Sequence, residues 1–239
     1  MSLVIVDTDS YALANAALHQ SLKRFSFNEV LIFSDDESKW KDRKVYTIPK
    51  ISSMGEYDNF VLNELPKHIK TTHFMIIQFD GFILNPSEWS PLFLHYDYIG
   101  APWPTQTHGS HNVGNGGFSL RTKKLADFIA KQNYAYSDDS LHEDVYVCKK
   151  MRPSIEAAGM HFAPDTIASH FSAESYVYRY PTFGFHNIRF MPLVYKENLD
   201  FMLDNLTDRV VKAHGGLILP NLKGISEMHY QKLLQKMNK

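Results

Sequence analysis

The chain reads as an α/β protein built on a mostly parallel sheet, and three observations predict that class. Residues 3–6, 30–33 and 74–77 are short, continuous apolar runs of strand length, as in strands buried on both faces. Between the first two, Ala14, Ala17, Leu18 and Leu22 recur at helical spacing. The runs lead into acidic or polar residues, Asp7, Ser34-Asp35-Asp36 and Asp80, and ligands of such sheets bind beyond the carboxyl ends of the strands.

Taken in order, residues 3–6 form a first strand, 10–25 a helix, 30–33 a second strand and 45–48 a third. Tyr57, Phe60, Val61 and Leu65 share one helix face until Pro66 interrupts it. Residues 74–77 are the strongest candidate for a central strand. Residues 116–120 read as another strand and 122–132 as a helix with Leu125, Phe128 and Ile129 inward. A further helix starts at residues 141–144 and runs to about Met151. After Pro153 the pattern loosens, and residues 163–186 carry many aromatics with little periodicity. Residues 226–239 form an amphipathic helix through Met228, Leu233, Leu234 and Met237. With no repeat and no Gly/Ser linker, residues 1–239 read as a single domain: a core over about 1–190 and a C-terminal extension over 191–239.

Composition removes several classes. A chain of 239 residues can bury a core without disulfides or structural metal. Net charge of -1 and the lack of a basic cluster interleaved with aromatics argue against nucleic acid as a partner. No stretch is long and apolar enough to be a transmembrane segment, and residues 1–7 lack the marks of a signal peptide. One cysteine, Cys148, excludes an internal disulfide and fits a reducing, cytoplasmic setting; inside an apolar helix it reads as an inert core thiol. No Gly-x-Gly-x-x-Gly, P-loop, Gly-x-Ser-x-Gly or zinc-helix motif is present.

The residues able to carry chemistry are few. Asp80, beside Gly81 at the end of a buried strand, can hold a hard divalent cation or cap a turn; Gln78 lies on the same face. Glu143 and Asp144 open a helix, so they suit either its dipole or proton transfer in a cleft. His186 and His170, among aromatics, fit hydrogen-bonded core positions, and His108 and His111 a solvated polar loop. The run Gly114-Asn115-Gly116-Gly117-Phe118-Ser119-Leu120-Arg121 fits a hairpin turn or the wall of a ligand site.

Together with Ile77-Gln78-Phe79-Asp80-Gly81-Phe82, Asp97-Tyr98-Ile99-Gly100-Ala101-Pro102-Trp103 and His142-Glu143-Asp144, that run resembles a bacterial and viral family of unassigned function. The segments Phe171-Ser172-Ala173-Glu174 and Phe183-Gly184-Phe185-His186 fit the same pattern. That family is similar to glycosyltransferases of the A-type fold, and its layout to the beta-1,4-galactosyltransferases, where a Gly-Gly segment precedes a Glu-Asp pair. The resemblance implies a nucleotide-diphosphate sugar donor bound over the strand ends and a carbohydrate or other hydroxyl acceptor. Asp80 would hold a divalent cation, Mn2+ or Mg2+, and the diphosphate. Gln78 stands where the Asp-x-Asp metal motif of those glycosyltransferases has its first acid, a departure that weakens metal binding, and His186 would be an added ligand. Asp144 would be the catalytic base and Glu143 would orient the acceptor. Gly116 and Gly117 would let the sugar pack on the backbone, Gln78, Gly81, Asn115 and Arg121 would bind the nucleotide-sugar beside them, and Trp103 would offer it a flat face. Thr8, Asp9 and Tyr11 would lie near the base and ribose. The function expected is an inverting, metal-assisted glycosyltransferase. Its rivals are a nucleotidyltransferase and a non-catalytic sugar-binding module of the same fold.

Overall fold

The computed structural model describes the chain except residues 24, 42, 105–111, 136–140, 176–179 and 239. His108 and His111 therefore lie outside the described residues. Strand β1 (Ser2–Val6) leads through helix α1 (Tyr11–Leu22) to β2 (Glu29–Ser34) and β3 (Val45–Thr47). Helix α2 (Met54–Asn59) continues as a π turn and ends in a 3-10 turn over Leu65–His68, where Pro66 removes a donor. Then come β4 (His73–Ile77), β5 (Gly81–Ile83), β6 (Tyr98–Ile99), β7 (Ala101–Pro102), β8 (Val113–Gly114) and β9 (Ser119–Thr122). The main sheet has the order β3-β2-β1-β4-β9-β6. Its first four strands pair in parallel, and β9 runs antiparallel to both its neighbours. The architecture is thus mixed α/β around a mostly parallel sheet.

Both faces of this sheet are covered, which is why residues 3–6, 30–33 and 74–77 of its strands are apolar at every position. Leu3, Ile5, Ile32 and Met75 point into one core, with α1 on it. Val4, Val6, Leu31 and Ile76 point into the other, against Val61, Leu65 and Ala126. Thr122 caps helix α3 (Lys123–Ala130), its hydroxyl accepting from the Leu125 N–H at 3.2 Å. The helix expected to start at residue 141 begins at Glu143 as α4 (Glu143–Val145) and relaxes into a π turn over Tyr146–Lys150. The strand expected over 116–120 begins only at Ser119, because Asn115 takes φ 72° and the residues after it turn.

Helices α5 (Arg152–Ala157) and α6 (Asp165–Phe171) lead to β10 (Ser172–Ala173) and β11 (Gly184–His186). These two strands and β5 form a small sheet in the order β10-β11-β5. Helices α7 (Met191–Val194), α8 (Leu199–Asp204), α9 (Asp208–Ile225) and α10 (Glu227–Met237) follow. Met191, Met202, Ile218 and Leu233 from these helices are buried in the same core as Leu3 and Ile5. No helix among the described residues is long and apolar enough to cross a membrane.

Candidate functional site

A cavity of about 460 Å³ lies at the carboxyl ends of β1 and β4. Its lining includes Asp7, Thr8 and Asp9 from the end of β1, Tyr57 from α2, and Gln78 and Asp80 from the end of β4. His186 and Asn187 close one side, and Arg209, Val210, His214 and Leu217 of α9 another.

The acid at the end of β4 is placed by a tight turn. Gln78 and Gly81 exchange backbone hydrogen bonds of 2.8 and 3.1 Å, leaving Phe79 and Asp80 at the tip. The small sheet then aligns its partners by register. Antiparallel pairing of β5 with β11 sets His186 opposite Gly81. Parallel pairing of β10 with β11 sets Ala173 beside Phe185, so the next residue, Glu174, falls beside His186. The side chains meet accordingly. His186 Nε2 is 3.2 Å from Gln78 Oε1 and 3.7 Å from Asp80 Oδ1, and Nδ1 is 3.9 Å from Glu174 Oε1. Gln78 donates its Nε2 to the Tyr57 hydroxyl at 2.7 Å.

Burial pushes His186 toward its neutral form, but Asp80, then Glu174 and Asp144, outweigh it and raise its pKa to about 9. The imidazole is a cation at neutral pH, and Nε2–H donates to Gln78. Asp144 is half-buried, and burial followed by the charge of Glu143 raises its carboxyl to about 6. Glu174 raises it further and His186 lowers it, so Asp144 belongs to this charge cluster. Asp7 is also raised to about 6 by burial, against the N–H groups of Asp9 and Ser10 that it accepts at 3.0 and 2.7 Å.

Glu143 faces elsewhere. It is buried and forms a bidentate ion pair with Arg121, with Nη1–Oε2 at 3.0 Å and Nη2–Oε1 at 2.9 Å. Arg121 also lies 5.0 Å over the Tyr98 ring and donates its Nε to Ser119. This pair explains Gly116, and His186 explains Gly117 and Gly81. A Cβ on Gly116 would stand 1.5 Å from Glu143 Oε1, and one on Gly117 would stand 2.3 Å from His186 Nε2. A Cβ on Gly81 would reach 2.8 Å from His186 Cδ2. The close approach that the glycines permit is made by the protein's own side chains, in the space expected for a sugar. Asn115 holds the turn by accepting the Gly117 and Phe118 N–H groups on Oδ1 at 3.0 and 3.3 Å.

Other expected ligands are engaged or turned away. Trp103 is buried against Gly114 and offers no open face. Tyr11 donates its hydroxyl to Asp35 at 2.7 Å, outside the cavity lining. Thr8 lines the cavity, but its hydroxyl is bound to the backbone of Ile51. Asp9 Oδ2 accepts from Thr207 at 2.9 Å and from Arg209 at 3.2 Å. Sequence reasoning missed Glu174 and Arg209. Glu174 had a signal, an acid just past a short strand like Asp80; Arg209 had none.

Residues 42–186 match the family described as "Protein of unknown function (DUF5672)". The chain belongs to that family. The DUF5672 span holds Gln78, Asp80, Glu143, Asp144, Glu174 and His186, and ends before the C-terminal helices. No curated protein matches the chain. Among solved structures it is similar to one described as "crystal structure of a glycosyltransferase involved in the glycosylation of the major capsid of PBCV-1". The identity is 12%, over 77% of this chain and 92% of that chain, with a TM-score of 0.49.

Proposed function

We propose that this protein is a glycosyltransferase that moves a sugar from a nucleotide-diphosphate sugar to an acceptor hydroxyl with inversion. The observation that carries the reading is the charge cluster at the strand ends: Asp80, Gln78 and His186 line a cavity of about 460 Å³, and Glu174 and Asp144, outside that lining, share the charge field of His186. That volume suits a small-molecule ligand, and the carboxyl ends of parallel strands are where such ligands bind.

In the proposed reaction the acceptor oxygen attacks the anomeric carbon from the face opposite the diphosphate. The new C–O bond forms as the bond to the diphosphate oxygen breaks, so configuration inverts. Asp144 takes the proton of the attacking hydroxyl; a carboxyl raised to about 6 is ionised at neutral pH yet more basic than an ordinary aspartate. The diphosphate departs as an anion toward the His186 imidazolium. Glu143, locked by Arg121, holds the start of α4 so that Asp144 is presented to the cluster; it is a positioning residue.

A divalent cation fits here as part of the ligand set. Gln78 Oε1 and Asp80 Oδ1 lie 3.2 and 3.7 Å from His186 Nε2, and the buried atoms His186 Nδ1 and Glu174 Oε2 lack hydrogen-bond partners. No three His, Cys, Asp or Glu side chains among the described residues form a ready cage. Asp80 and Gln78 would therefore hold Mn2+ or Mg2+ together with donor oxygens, and His186 would join them only by giving up its Nε2 proton, in which case the cation takes the place of the imidazolium charge. When bound, the cation would supply positive charge to the leaving diphosphate.

The test is turnover of a panel of nucleotide-diphosphate sugars with and without Mn2+, reading release of nucleoside diphosphate. Turnover by the wild type that is lost in Asp144→Asn supports the proposal. Gln78 favours a second reading, because its amide is used by Tyr57 and His186 where the Asp-x-Asp motif of A-type glycosyltransferases has its first acid. A non-catalytic nucleotide-sugar-binding protein would bind the same donors and release nothing.

A further inference from the structure

The cavity wall is acidic for an anionic ligand. Among its described lining residues Asp7, Asp9 and Asp80 are acids, and Arg209 is the permanently charged base. A diphosphate placed among carboxylates is repelled unless cations stand between them. Arg209 comes from α9, outside the span shared with the family. Its position is set by contacts across almost the whole chain: Thr207 and Arg209 both donate to Asp9 Oδ2. Local preference does not explain an arginine there, because a cation in the first turn of a helix opposes the helix dipole. Only Nε meets Asp9, and the side chain is 56% exposed, so the guanidinium keeps free donors beside the cavity.

We propose that Arg209 is a donor-binding residue, which exchanges Asp9 for the diphosphate of the nucleotide-sugar. The inference rests on the transferase reading above. A guanidinium presents paired N–H groups that match phosphate oxygens, and it stays charged at every physiological pH. Asp9 then acts as an internal competitor that holds Arg209 at the rim until donor arrives, and α9 becomes part of the donor site.

The two halves of this ion pair have opposite expected effects, which a merely structural pair does not. Binding of uridine diphosphate and guanosine diphosphate is measured by calorimetry on the full chain, and the tighter one is carried into the variants. Arg209→Gln should weaken it about 10- to 100-fold, as for a lost charge-assisted hydrogen bond. The corresponding nucleoside monophosphate should lose less. Asp9→Asn keeps an acceptor for Thr207, removes the rival charge, and should tighten binding. Arg209→Lys keeps the charge without the planar fork and should fall between wild type and Arg209→Gln; it also stands in if Arg209→Gln does not fold. Wild-type affinity in both arginine variants overturns the inference. So does a loss of affinity in Asp9→Asn that matches the loss in Arg209→Gln, since the pair then only anchors α9. If the wild type binds neither diphosphate, with or without Mn2+, the transferase reading falls and this inference with it.

Discussion

Asp144 and Glu143 are chain neighbours with different surroundings: Asp144 shares the charge field of His186 and Glu174, while Glu143 is buried against Arg121. Asp144→Asn should lower turnover about 10²–10⁴-fold, the usual worth of a positioned general base, with donor affinity kept. The same variant should be more stable at neutral pH, by about 1 kcal/mol, because it no longer carries a partly buried charge that the fold disfavours. Donor titration and thermal melting of one preparation check both signs; a variant with full turnover removes Asp144 from catalysis. Glu143→Gln should behave in the opposite way. It leaves the Arg121 guanidinium buried with an amide acceptor but no counter-charge, and breaking such a pair typically costs about 3–5 kcal/mol. Chemical denaturation should show this loss at every pH where the wild type is folded, and equal stability would mean that the ion pair is dispensable.

At the scale of elements, the site is assembled by the small β10-β11-β5 sheet and the turn that precedes β9. Both leave space only for glycine at set positions. Gly116→Ala should destabilise the fold, since the new Cβ meets Glu143 and forces the buried ion pair apart. Gly117→Ala meets His186 and Gln78 instead. It should move the imidazole and weaken nucleoside diphosphate binding more than it lowers the melting temperature. A calorimetric comparison of the two alanine variants separates these effects. If both lose only stability, the turn serves the fold alone.

For the whole molecule, the decisive quantity is the number of carboxylates whose pKa folding has raised. Burial lifts Asp7, Asp58 and Asp144 each to about 6. Between about pH 4 and pH 6 the native state therefore binds more protons at these groups than the unfolded chain. Their contribution is full at low pH and is lost as pH rises through the folded pKa values. Denaturant unfolding in metal-free buffer should show stability falling from pH 5 to pH 7 by about 1–2 kcal/mol per group. Asp58→Asn and Asp144→Asn should each flatten that slope, and an unchanged slope would mean that these carboxyls are not buried as charges. A nucleoside diphosphate that binds the native state should in turn raise the melting temperature, more so with Mn2+ if Asp80 and His186 hold the cation.

Much of the fold was legible because the hydrophobic effect acts through local pattern. Residues 3–6, 30–33 and 74–77 are apolar at every position because both sheet faces are covered, and the helix between the first two shows its inward stripe. Asp80 and Asp144 stood out for the same reason, as acids that follow or open such elements. What only the tertiary structure decided was which atoms meet. β10 and β11 are two and three residues long, too short for any period, yet their register puts Glu174 beside His186. The surroundings of Glu143 and Asp144 could not be told apart in sequence, since both open one helix; what separates them is Arg121, 22 residues away and buried on β9, which pairs with Glu143 alone. Arg209 was invisible because its partner Asp9 lies 200 residues earlier, and a long-range ion pair leaves no mark on local composition. Apolar burial is written residue by residue, whereas a site depends on chain closure between distant segments, and only folding makes that closure.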